Sequence, residues 1–187
     1  MPIGCEVIPN CEKCLADIIE VGVWSYQFTQ ICLLLVTKAV LASNRPDYRT
    51  IQELDHKIRA FNVPVSLHSS DRSSEMRDFV QEHYSPLSAS LQYLYLILML
   101  KCSMRPSALM FLHRNYFAKV LKENPTNPWE SIHGPSFITA YNSACKVLNS
   151  TERSYKKQPL LMPRVWRIWT YAFSAAVGNV ALPRIKV

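Results

Sequence analysis

Apolar side chains in this sequence recur at steps of three and four, the spacing of one face of an α-helix. No stretch alternates apolar and polar residues convincingly enough to predict a strand. From Cys11 to about Ala42 the pattern predicts one long helix, weakest at Gly22. Asn10 is placed to cap it, and Glu12 and Asp17 suit its positive N-terminus. "SNRPDY" then breaks the pattern, because Pro46 disfavours helical geometry at Arg45. In "DYRTIQELDHKIRAF", Ile51, Leu54, Ile58 and Phe61 make one apolar stripe. Glu53 with Lys57 and Asp55 with Arg59 stand as i,i+4 ion pairs in the favourable order.

"NVPVSLHSS" reads as an extended linker, and the polar "HSSDRSSEMRD" as a mobile loop. Ser85–Lys101 predicts a further helix that is apolar on most sides, hence buried at the centre of the core. Pro106 opens another helix, striped by Leu109, Leu112, Tyr116, Phe117, Val120 and Leu121, with Arg114, Lys119 and Lys122 opposite. A hinge holding Pro125, Pro128, Gly134 and Pro135 follows. Trp129 in that hinge is expected to seal the corner against the core. Phe137, Tyr141, Ala144, Cys145 and Leu148 then stripe the next helix. Pro163 starts the last one, with Trp166, Trp169 and Phe173 on its inner face and Gly178-Asn179 as its stop signal. The expectation is an all-α fold of about seven helices, packed as an irregular array with no sheet.

Composition narrows the class. The chain has 187 residues, 49% hydrophobic and 19% charged, which suits one globular domain. Four glycines are too few for a turn-rich β fold. Val21–Leu41 tempts a membrane reading, but Ser25, Gln27, Gln30 and Lys38 interrupt it, so a core helix and no membrane partner are expected. Charge is uneven: residues 1–100 carry 8 Lys/Arg against 11 Asp/Glu, and residues 101–187 carry 13 against 3. The basic half could meet an acidic partner, although a solvated basic surface is the commoner meaning.

The search for catalysis and metals gives no site residue. There is no G-x-G-x-x-G, P-loop, H-E-x-x-H or nucleophile elbow in the sequence. Cys11 and Cys14 form a C-x2-C pair near Cys5, but no second pair completes a four-ligand zinc site. His113 sits on the edge of an apolar stripe with no partner acid or nucleophile evident, the setting of a satisfied core-edge histidine. His133 reads as a turn residue bonding to backbone. No catalytic, cofactor or metal residue is assigned, and the chain is read as a non-enzyme.

The stretches "LHRNYFAKVLKENPTNPWESIHGPSFITAYNSACKVL" and "VWRIWTYAFSAAVGNVAL" resemble the later part of the fungal-specific transcription factor domain. "DYRTIQELDHKIRAFNVPVSL" is similar to an earlier helix of the same region. That domain is the helical regulatory middle region of zinc-cluster transcription factors. The resemblance runs over about residues 45–182. It divides the chain into an N-terminal helical segment, 1–44, and the domain's later part, 45–187, within one continuous helical domain. It implies a nuclear protein regulating RNA polymerase II transcription through transcription machinery or other regulators, with a small inducer and a homodimer both open to it. The family's zinc-cluster DNA-binding module is not reproduced by Cys5, Cys11 and Cys14. Nucleic acid would therefore be met only indirectly or non-specifically, and no zinc is expected. A helical scaffold or adaptor without a transcriptional role is the alternative.

Overall fold

The longest helices form an antiparallel hairpin that organises the rest. Residues 11–42, 44, 46–64, 103–157, 159–160 and 162–180 are described by the computed structural model. Of the expected linker only Asn62, Val63 and Pro64 are described, in no regular element; its remainder, the polar loop and the Ser85–Lys101 helix lie outside the described residues, as do Cys5 and Asn10. Among the described residues every regular element is helical. The first rod consists of α1 (Cys11–Phe28), a π turn (Thr29–Leu33) and α2 (Leu34–Leu41). Then come α3 (Tyr48–Ala60), α4 (Met104–Glu123), α5 (Gly134–Lys157) and α6 (Trp166–Val180). That makes five helical rods among the described residues, against about seven expected for the whole chain.

The first rod is interrupted at Thr29–Leu33, not at the expected Gly22. The Thr29 hydroxyl donates to the Ser25 carbonyl at 2.7 Å, and such back-bonding disturbs a helical ladder. The Leu34 N–H reaches the carbonyl of Thr29, five residues back, which is the π pattern. The buried residues explain its use. Val21, Trp24, Phe28, Cys32 and Val36 are spaced 3, 4, 4 and 4 apart. At 100° per residue each step of four overshoots a full turn by about 40°. One wide turn resets the phase, so Val36 faces the same core as Trp24. That core joins the rod to Ile51 and Ile58 of α3 and to Ala108, Leu109 and Leu112 of α4. Trp24 Nε1–H also donates to the Asn62 carbonyl at 2.6 Å. The run Ile19–Leu41 is long and apolar enough to cross a membrane by length and composition, and this inner stripe is covered by α3 and α4.

Asp47 begins α3, its carboxylate accepting from the Tyr48 N–H at 2.7 Å. The Asp55–Arg59 pair forms at 2.7 Å, whereas Glu53 pairs with Arg49 at 3.3 Å and not with Lys57. In α4, Pro106 occupies the first turn, where its missing N–H costs nothing.

Between α4 and α5 the hinge contains a 3₁₀ turn, Pro128–Glu130. Pro128 is the buried residue of this 3₁₀ turn, and Trp129 is 47% exposed, with an edge-to-face contact on Phe137, 5.2 Å between ring centres. The sealing role expected for Trp129 therefore falls to Pro128. Gly134 is needed for space: a Cβ there would sit 2.4 Å from the Trp129 carbonyl oxygen. No positive φ occurs among the described residues, so the corner does not exploit left-handed glycine.

α5 packs on α4 through Phe117, Val120, Phe137 and Ala140, with the Phe117 and Phe137 rings stacked at 5.0 Å. Further along, Met110, Ala144 and Val147 meet Ala175 of α6. The face of α6 differs from expectation. Ile168, Ala172 and Ala175 point inward, while Trp166 and Phe173 are each 72% exposed. Ala175 is the residue enclosed there, against Met110, Ala144 and Val147, with Tyr171 partly buried beside them. The helix also runs on through Gly178 and Asn179 to Val180.

Candidate functional site

At the junction of α3, α4 and α5 a polar chain crosses an otherwise apolar interior. His113, on the inner side of α4, is buried like Leu109, Leu112 and Phe117 of the same helix. Its Nε2 lies 3.0 Å from Asp55 Oδ1, and its Nδ1 lies 2.8 Å from Ser136 Oγ. The carboxylate fixes the proton on Nε2, so Nδ1 accepts from the Ser136 hydroxyl. The Tyr48 hydroxyl is 3.3 Å from the same Oγ. Asp55 continues to Arg59, whose Nη2 donates to Thr139 Oγ1 at 3.0 Å. Burial alone would raise the Asp55 pKa. The hydrogen bonds from His113 and Arg59 outweigh it and hold the carboxyl below its ordinary value.

A Ser–His–Asp series is thus present, but not arranged for attack. Ser136 is 1% exposed, and its hydroxyl is occupied by His113 and Tyr48. Neither Ser136 nor His113 lines any of the three cavities described among these helices. A nucleophile must reach its substrate, so the series acts as a clasp holding α3 against the hairpin. The sequence revealed no acid for His113; the fold supplies one 58 positions earlier. Asp55 was visible only as half of a surface ion pair.

His133 lies on the other side of Ser136. Its carbonyl accepts from the Ser136 and Phe137 N–H groups at 3.0 and 3.2 Å, so it starts α5 as a turn residue would. Its ring is buried against Tyr48 and Tyr116, 4.6 and 4.7 Å between centres. Lys119 Nζ donates to Nε2 at 3.2 Å, and Nδ1 has no partner among the described residues. Burial and the Lys119 charge push its pKa down, so the ring is kept neutral.

Two hollows flank the clasp. A notch of about 130 Å³ between α2, α3 and α4 is lined by Val40, Pro46, Ile51, Leu112 and Tyr116. A wider cleft of about 400 Å³ runs between the end of α3 and the neighbouring faces of α4 and α5. Its polar lining is Arg59, Arg105, Thr139, Asn142, Ser143 and Lys146, and Pro106, Leu109 and Ile138 add apolar wall. Arg105 donates through Nη2 to the Arg59 carbonyl at the end of α3. Burial, and then the Arg59 charge, lower its pKa.

Among the described residues no group of three or more His, Cys, Asp or Glu is placed to hold a metal ion. Cys11 and Cys14 fall in the first turn of α1. No family model, curated protein or solved structure matches this chain.

Proposed function

We propose that this chain is a helical regulatory domain of the kind found in the middle of fungal zinc-cluster transcription factors, working in the nucleus through protein contacts and a small ligand. The observation that carries this reading is where the resembling residues fall. "LHR", the proline hinge and "PSF" are the residues of the α4–α5 corner and its clasp, through His113, Pro128, Gly134 and Ser136. Likeness of sequence therefore coincides with the residues that shape the hairpin. Binding, rather than catalysis, suits the buried hydroxyl and the open hollows beside it.

The test joins the full chain to an unrelated DNA-binding module and places a reporter gene under that module's site. A several-fold change in reporter output, with the tagged chain in the nucleus, is expected. No change in either direction, with exclusion from the nucleus, would falsify the reading. The same proposal expects no autonomous sequence preference. A nanomolar, salt-resistant choice of one duplex by the purified chain would contradict that part.

A helical adaptor without transcriptional work is the second reading. It is favoured by the apolar side chains that α1 and α6 turn outward, among them Ile19, Tyr26, Trp166 and Phe173. Nuclear exclusion together with stable capture by a cytoplasmic complex would select it.

A further inference from the structure

We infer that the cleft between α3, α4 and α5 is a binding site for a small organic polyanion, a di- or tricarboxylate or a phosphate ester, gripped by Arg59, Arg105 and Lys146. Three cationic side chains from three different helices border one hollow of about 400 Å³. That volume lies within the range of small-ligand pockets. Among the described residues only Asp55, ion-paired to Arg59 at 2.7 Å, offsets their charge, which leaves these groups with a net excess of two positive charges.

Arg105 is the informative member. It is half-buried with Arg59 as its charged neighbour, and both effects act against its cation. A guanidinium with one nitrogen spent on a carbonyl still has further N–H donors in a planar fork. Such a fork matches the paired oxygens of a carboxylate or phosphate. Thr139, Asn142 and Ser143 add neutral hydrogen-bonding groups along α5, and Leu109 and Ile138 give an apolar wall. An anion with a short carbon body satisfies both kinds of lining. A bare inorganic ion would leave the apolar wall unused.

The cleft also shares a residue with the clasp. Arg59 lines the hollow and at the same time holds Asp55, which holds His113. Ligand charge drawn against Arg59 would bear on the contact between α3 and the hairpin. Binding stands on the cleft alone; its meaning as an inducer rests on the function proposed above.

The experiment is titration calorimetry on the purified full chain with citrate and, separately, glycerol 2-phosphate, at constant ionic strength. Saturable one-to-one binding of at least one anion is expected. The tighter of the two identifies the carboxylate or the phosphate source. Lys146→Glu should weaken binding tenfold or more, and Lys146→Ala severalfold. Lys156→Ala, farther along α5 and paired with Glu152, should leave it unchanged. Lys146 is solvent-exposed, so its variants should fold, as melting curves would verify. No saturable heat with either anion overturns the proposal, as does equal weakening by Lys156→Ala. Lys146-dependent binding of a DNA duplex with no small-anion binding overturns it too. Because binding is read on the isolated chain, its failure is separable from that of the reporter assay.

Discussion

Ser136 opens α5 and His113 occupies the middle of α4, and their side chains meet at 2.8 Å in the interior. The contact is local to the hairpin, but its continuation to Asp55 is not, and that long-range step gives the pair its importance. Removing the imidazole would leave the Ser136 hydroxyl with only the longer Tyr48 contact and would strip Asp55 Oδ1 of its partner. His113→Ala should cost about 3 kcal/mol, from unmet hydrogen bonds together with the void left by the ring. His113→Gln, which can donate and accept, should recover part of it. Urea unfolding of both variants measures this, and equal losses would argue against the hydrogen bonds as the cause.

Gly134→Ala should destabilise by about 2 kcal/mol, the scale of a strained insertion. The opposing atom is the Trp129 backbone carbonyl at 2.4 Å, which cannot swing away like a side chain. Pro135→Ala, next door and exposed, serves as the comparison and should fall within about 1 kcal/mol of the parent. Thermal melting checks both.

The depressed pKa of His133 fixes the sign of a pH effect. The folded ring binds its proton less readily than the unfolded one, whose ordinary value is 6.5. Its contribution is therefore fully present above that value and lost as pH falls through the lower folded pKa. Stability should decline from about pH 6.5 downward, and His133→Gln should flatten that slope. Asp55, also lowered from its ordinary 3.8, adds a second loss that starts only as the pH approaches that value. A slope between pH 7 and 5.5 unchanged by His133→Gln would contradict the assignment.

Position on α6 should decide the cost of its apolar residues. Ile168→Ala should cost about 2–4 kcal/mol, because Ile168 packs with Met162 in the interior. Trp166→Gln, at a 72% exposed position, should stay within about 0.5 kcal/mol of the parent. Chemical denaturation of the two variants tests the inversion of this helix against its apparent stripe.

Trp129→Ala should remove little beyond the edge contact with Phe137, about 1 kcal/mol. A loss of several kcal/mol, as for a fully enclosed indole, would place the ring deeper than its 47% exposure.

Helix positions were legible where one period dominated. The stripe of Ile51 and Ile58, the Pro106 opening and the proline corner all follow from local rules, and the structure places helices or a turn there. The facing of α6 was not legible. Its large aromatic residues carry the stronger apolar signal, yet Ile168, Ala172 and Ala175 are the residues enclosed, Ala175 against α4 and α5 and Ile168 against Met162. Polarity says which residues prefer to be buried, and the distance to a neighbour decides which can be. The clasp was hidden for a different reason. Asp55 already had a local partner in Arg59, and nothing in its neighbourhood announced a histidine from another helix. The cationic cleft likewise gathers Arg59, Arg105 and Lys146 from three elements, so no run of basic residues marked it.

The π turn in the first rod marks the place where its length can change. A π turn is an α-helix carrying one additional residue at that point. Deleting a residue within Thr29–Leu33 would let the rod close into a regular helix, with each remaining side chain individually acceptable. Phe28 and Val36 would then stand seven residues apart, about 20° short of two full turns, so Val36 would still face the core it shares with Phe28. This segment should therefore tolerate the loss of one exposed residue better than any regular turn of the rod.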